Sequence, residues 1–165
     1  MLYKYNLKDD SFSSLEEVDF KSLKIMERQN IEKWVEERPD LMGEELLIIT
    51  TEYAKFDKTK ERLDVLALDK QGKLVVVELK RDDSGRNVEL QAIKYAAYCS
   101  TLTLEDIILE RKLYLNKDGK DRADQELSLE IETFIENESF EEIDDKPRII
   151  IISKEFRPEV MASVL

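Results

Sequence analysis

A chain of 165 residues with 42% hydrophobic content is long enough to bury one substantial core and falls in the usual range of a single domain. The charged fraction is 39%, yet Trp34, six Phe, six Tyr and runs of Ile, Leu and Val exclude a disordered polyelectrolyte. A lone cysteine, Cys99, excludes an internal disulfide, and the absence of histidine excludes Cys/His zinc sites and every Ser-His or Cys-His nucleophile pair, so any metal here is held by oxygen ligands.

The formal net charge is −12. Residues 99–146 hold 15 acidic and 6 basic side chains, which leaves 23 against 20 in the rest of the chain. The acidity thus belongs mainly to one segment, which reads as a solvated face and leaves nucleic-acid binding open elsewhere. Apolar stretches such as Leu46 to Ile49 and Ile149 to Ile152 are too short to span a bilayer, and the N-terminus lacks a signal pattern. The expectation is a globular cytoplasmic protein of one domain over residues 1–165, with its core at about 19–153.

Met1 to Leu7 has a weak alternating pattern. Asp19 or Ser22 is placed to cap a helix with Leu23, Met26, Asn30/Ile31 and Trp34/Val35 on one face, ended by Pro39. Leu46 to Tyr53, Arg62 to Leu68 and Leu74 to Leu79 read as strands, the last two joined in a hairpin by a tight turn at Asp69 to Gly72. Asn87 to Ser100 is a strong helix, with Val88, Gln91/Ala92, Tyr95/Ala96 and Cys99 recurring at three and four residues. Helices at Thr103 to Leu113 and Arg122 to Asn137 precede a buried strand at Arg148 to Ser153. A last helix begins near Pro158, and ending at Leu165 inside its first turns suggests a C-terminal truncation. The order predicts an α/β (α+β) fold, a mixed central sheet flanked by helices.

Chemistry concentrates between Arg62 and Lys80. Alternate strand residues share a face, so Glu78 and Lys80 project together while Val77 and Leu79 point into the opposite layer. With the hairpin turn centred near Lys70 and Gln71, Asp64 falls across from Glu78. Two convergent carboxylates suit a hard divalent cation such as Mg²⁺ or Mn²⁺. A neighbouring lysine orients or deprotonates a water and stabilises charge on a phosphate, the chemistry of phosphodiester hydrolysis. A bare Glu-x-Lys is more often a solvent-facing pair; the hairpin, Asp64 in register, and Gln91 and Tyr95 on one i, i+4 helix face lift this one above it.

The order Asp64, Glu78-x-Lys80, Gln91-x-x-x-Tyr95 resembles the PD-(D/E)xK nuclease superfamily, and the text from about Glu27 to Ser100 is most similar to its RecB-like, NucS-like endonuclease branch. Arg62-Leu-Asp64, Gly72, Val75 to Arg81 and Leu90 to Tyr95 carry the likeness, with Arg148 to Ile152 as a final core strand. The resemblance implies a restriction-endonuclease-like core, Asp64 and Glu78 as metal ligands, Lys80 as catalytic lysine, and Gln91 and Tyr95 as helpers near a DNA substrate. A first-helix glutamate often completes such sites; Glu27 fits the branch's Glu-Arg-x-x-Ile-x-x-Trp pattern, with Glu32 the alternative. Homodimers are common in the superfamily, though no interface is legible in this chain.

Arg81, Arg86 and Lys94 are candidate phosphate contacts, with Lys24, Arg28, Lys55 and Lys58 as additions. Trp34, Phe56, Tyr98 and Phe134 read as core or layer residues, Cys99 as an inert buried thiol, and Gly85 and Gly119 as loop glycines. The leading expectation is a metal-dependent DNA endonuclease or exonuclease; the alternative is an idle nuclease-like domain that binds DNA or protein. A purely structural domain ranks last.

Overall fold

The computed structural model describes residues 1–56, 61–82, 87–117, 119 and 121–164. Its centre is a four-stranded mixed sheet ordered β3 (Leu47–Tyr53), β4 (Leu63–Leu68), β5 (Leu74–Leu79), β6 (Arg148–Ile152). β3, β4 and β5 form an antiparallel meander, whereas β6 runs parallel to β5. A parallel return needs a long crossover, here supplied by α2 (Val88–Cys99), α3 (Leu104–Asn116) and α4 (Asp124–Phe134). The protein is therefore mixed α+β, with helices flanking its sheet.

Strand alternation sorts the core into two layers. Leu66, Leu68, Leu74 and Val76 join Tyr95, Cys99, Ile107 and Ile131 on the α2–α4 side. Val65, Ala67, Val75, Val77 and Leu79 join Ile31 and Val35 on the other. Every residue of β4 and β5 is buried, so both strands are central. At the turn between them, buried Asp69 accepts the N–H groups of Gln71 and Lys73 at 2.9 Å each through Oδ1. Gly72 takes φ +82 there, and the Phe140 ring lies so close that a Cβ on Gly72 would sit 2.3 Å from it.

The predicted first helix differs from the observed one. Asp19 caps a turn instead, accepting Ser22 N–H at 2.8 Å, and Lys24 at φ +56 breaks the backbone before any helix forms. Helical structure begins as a π turn at Glu27–Glu32, continues in α1 (Lys33–Glu37) and closes in a 3-10 turn over Pro39–Met42. The restart turns Ile31 and Val35 inward and leaves Leu23, Met26 and Trp34 exposed. Trp34 is thus a surface ring set edge-on to Phe20 rather than a core residue. The Met1 to Leu7 pattern becomes β1 (Leu2–Asn6), paired antiparallel with β2 (Ser11–Leu15) in a separate hairpin. β6 has a sheet neighbour only on its β5 side among the described residues, so it is an edge strand, half-buried rather than buried. α3 begins with a full capping box between Thr103 and Asp106. α5 (Pro158–Val164) follows β6 as expected.

Candidate active centre

Asp64 lies in β4 and Glu78 in β5. The pairs Val65↔Val77 and Leu66↔Val76, extended by one residue, bring Asp64 across from Glu78 as the turn position predicts. Leu79 N–H donates to Asp64 Oδ2 at 2.8 Å, which pins that carboxylate to the neighbouring strand. Lys80 Nζ donates to Glu78 Oε1 at 2.6 Å. Glu78 is 1% exposed, and its Oε2 is buried with no hydrogen-bond partner. A buried oxygen left without a donor is costly, so it marks a position arranged for something other than stability.

Electrostatics follow from that burial. Burial first, and the Asp64 charge second, push the Glu78 carboxyl up to about 7, with Lys80 opposing. Asp64 is also raised by burial, opposed by Leu79 N–H and the Lys80 charge. Burial pulls Lys80 down, but the Glu78 hydrogen bond and the charges of Glu78, Asp64 and Glu27 outweigh it and raise its value. Lys80 is therefore held as an ammonium, suited to stabilising negative charge rather than to taking a proton.

The π turn supplies the two helix carboxylates. Glu27 and Glu32 stand five residues apart, the hydrogen-bond interval of a π-helix, a geometry frequent at functional sites. Glu27 Oε2 accepts Arg81 N–H at 2.9 Å and so clasps the chain just beyond β5. Glu32 is 8% exposed, its Oε2 has no partner, and its carboxyl is pushed up to about 7 by burial and then by the charges of Glu52, Asp64 and Glu36. Both acids act electrostatically on the centre, but only Glu32 presents a buried, unpartnered oxygen.

On α2, Gln91 Nε2 donates to Tyr95 Oη at 3.0 Å, and the Tyr95 hydroxyl donates to the Arg62 carbonyl at 3.0 Å. Both helper candidates thus face β4 next to Asp64. Among the candidate phosphate contacts, Arg81 is paired with Asp82, Lys94 with Glu61 and Lys55 with Glu110. Lys24 is exposed. Arg86, Lys58 and Gly85 lie outside the described residues. Cys99 is fully buried, and burial pushes its thiol up to about 12, which makes it inert.

One residue beside the centre escapes a reading of the sequence. Glu52 sits in β3 at φ +52, between Thr51 and Tyr53, which pair with Val65 and Leu63, so it lies directly opposite Asp64 of β4. It forms ion pairs with Arg28 and Arg62. Nothing local marks it, because glutamate is not a residue that signals a left-handed backbone; only the β3–β4 register reveals it.

Among the described residues no group of three or more His, Cys, Asp or Glu side chains converges closely enough to hold a metal ion. The donors still fit a hard divalent cation, which is often held by one or two carboxylates with water and substrate oxygens completing its shell. The unpartnered Glu78 Oε2 is the observation behind that fit. Fold and site together define a mixed α+β protein with a buried carboxylate pair and a lysine ammonium beside it. No family model, no curated protein and no solved structure matches the chain. No helix among the described residues is long and apolar enough to cross a membrane.

Proposed function

We propose that this chain is a divalent-metal-dependent nuclease domain with a restriction-endonuclease-like core, hydrolysing phosphodiester bonds of DNA. The observation that carries the reading is Glu78: fully buried across from Asp64, one oxygen on the Lys80 ammonium and the other unpartnered. Asp64 and Glu78 are the residues that would hold Mg²⁺ or Mn²⁺, with two helix carboxylates as candidates to join them: Glu27, whose charge acts on Asp64, Glu78 and Lys80, and Glu32, whose Oε2 is buried and unpartnered. When bound there, such a cation would supply Lewis acidity toward a phosphate oxygen and lower the pKa of a water.

The remaining work falls to the chain. Lys80, charged and aimed at Glu78, stabilises negative charge that builds on the phosphate. Glu27 fixes the backbone beyond β5 through Arg81 N–H and thereby the position of Lys80. Tyr95 and Gln91 brace the entry to β4 through the Arg62 carbonyl. The test is cleavage of single-stranded, duplex and branched DNA with Mg²⁺ or Mn²⁺ by wild type, Asp64→Ala and Lys80→Ala. Activity lost in both variants supports the nuclease. Wild-type activity no higher than the variants on every substrate favours the second reading, an idle domain that binds DNA or protein, to which the lack of a converged three-ligand set among the described residues lends weight.

A further inference from the structure

We propose that Arg28 and Arg62, held by Glu52, form a clamp for the phosphate backbone of a nucleic acid at the edge of the Asp64–Glu78 centre. The proposal deepens the nuclease reading and rests on it for the identity of the ligand. Arg28 Nε forms an ion pair with Glu52 Oε1 at 2.9 Å, and Glu52 Oε2 accepts a hydrogen bond from Arg62 Nη1 at 2.6 Å. One carboxylate thus gathers guanidinium groups from two separate elements, the π turn and the start of β4, and the trio retains a net positive charge. Arg81, Lys94 and Lys55 differ, each paired with a carboxylate of its own.

The guanidinium groups remain available. Their side chains are 62% and 48% exposed, and only one of the five N–H donors in the Arg62 fork is used on Glu52, the Arg28 contact being an ion pair. Such forks match phosphate geometry bidentately. At that exposure, ion pairs to Glu52 contribute little to stability. Their placement nonetheless costs something, because Glu52 holds a left-handed backbone that L side chains rarely adopt. Arg62 is anchored at both ends, its guanidinium by Glu52 and its carbonyl by Tyr95, which in turn receives Gln91 Nε2. The helper pair on α2 therefore acts through Arg62. Arg28 also lowers the values of both Asp64 and Glu32, which places its charge beside the centre.

The experiment is fluorescence-anisotropy binding of a fluorescein-labelled DNA oligonucleotide, single-stranded and duplex, to the full chain across a salt series with Ca²⁺ present. Arg28→Ala and Arg62→Ala are each expected to flatten the plot of log affinity against log salt by about one phosphate contact, a change of 0.7–0.9 in slope. Glu52→Gln decides the mechanism. Removing a negative charge tightens DNA binding if only net charge matters, whereas a clamp that loses its anchor binds several-fold more weakly. Circular dichroism melts show whether each variant folds, and Arg28→Glu, at the more exposed position, gives a second reading of the same slope.

Unchanged slopes in the arginine variants, tighter binding by Glu52→Gln, or no DNA binding by wild type at low salt would overturn the clamp. A wild type that binds with the expected slopes but cleaves nothing would sink the nuclease and leave the clamp standing. Cleavage with unchanged slopes would do the reverse.

Discussion

Replacing Glu78 by glutamine separates the stability of the centre from its chemistry. The carboxyl is raised from 4.5 to about 7, chiefly by burial. A group whose folded value lies above its unfolded one binds its proton more tightly in the native state. Its contribution is fully present below pH 4.5 and is lost as pH rises through 7. At 1.36 kcal/mol per unit, the ionised form costs the fold about 3 kcal/mol at pH 8. That cost already includes the opposing Lys80 bond, and about 1 kcal/mol of it is spent by pH 5, where the unfolded carboxyl is mostly ionised, so relative to pH 5 Glu78→Gln should gain about 2 kcal/mol on wild type at pH 8. The assay is urea unfolding of metal-free protein at both pH values. Comparing variant with wild type cancels the other titrating acids, such as Asp40 and Glu44, whose values are lowered by Arg38 and Arg148. A difference that does not change with pH, or one that moves in favour of wild type at pH 8, would refute the reasoning.

Lys80→Met should slow cleavage about 10²- to 10³-fold, the usual cost of removing one electrostatic stabiliser, while Mn²⁺ binding measured by calorimetry stays within a few-fold of wild type. Gly72→Ala forces a Cβ at φ +82 into the Phe140 ring and should cost about 2–3 kcal/mol, lowering the thermal midpoint by about 5–10 °C in a scanning melt. An unchanged midpoint would mean that Phe140 is not seated there. Tyr95→Phe removes the hydroxyl between Gln91 and the Arg62 carbonyl and should cost about 1–2 kcal/mol in urea unfolding, together with weaker DNA binding at low salt.

Sequence pattern was most informative where burial is one-sided. α2 announced itself through the three- and four-residue spacing of Val88, Ala92, Tyr95 and Cys99, all of which are buried. The β4–β5 hairpin was legible because Asp69 to Gly72 is unmistakable turn chemistry, and that turn alone fixes Asp64 against Glu78. β2 is not legible in the sequence because both faces of its hairpin stay exposed, so burial imposes no alternation on Ser11 to Leu15. The first helix begins later than its periodicity predicts because the spacing of Leu23, Met26 and Ile31 is helical, while the left-handed Lys24 leaves no mark on periodicity. Of the site, Asp64, Glu78 and Lys80 could be read from one hairpin. The Arg28–Glu52–Arg62 trio could not, since it joins three elements through a register that only the folded sheet reveals.

The same alternation that made the centre legible also holds it rigid. Asp64 lies between Leu63 and Val65, and Glu78 between Val77 and Leu79, all four apolar neighbours being 0% exposed. Shifting either strand by one residue would turn a carboxylate into an apolar layer and bring a core side chain to the site, at a cost far above any relief of the strained acids. The unpartnered Glu78 oxygen therefore cannot escape by slipping along the sheet, and its one inexpensive response without a ligand is to take up a proton. The hydrophobic core on either side thus fixes the two carboxylates in place, which is the rigidity that the proposed cation site requires.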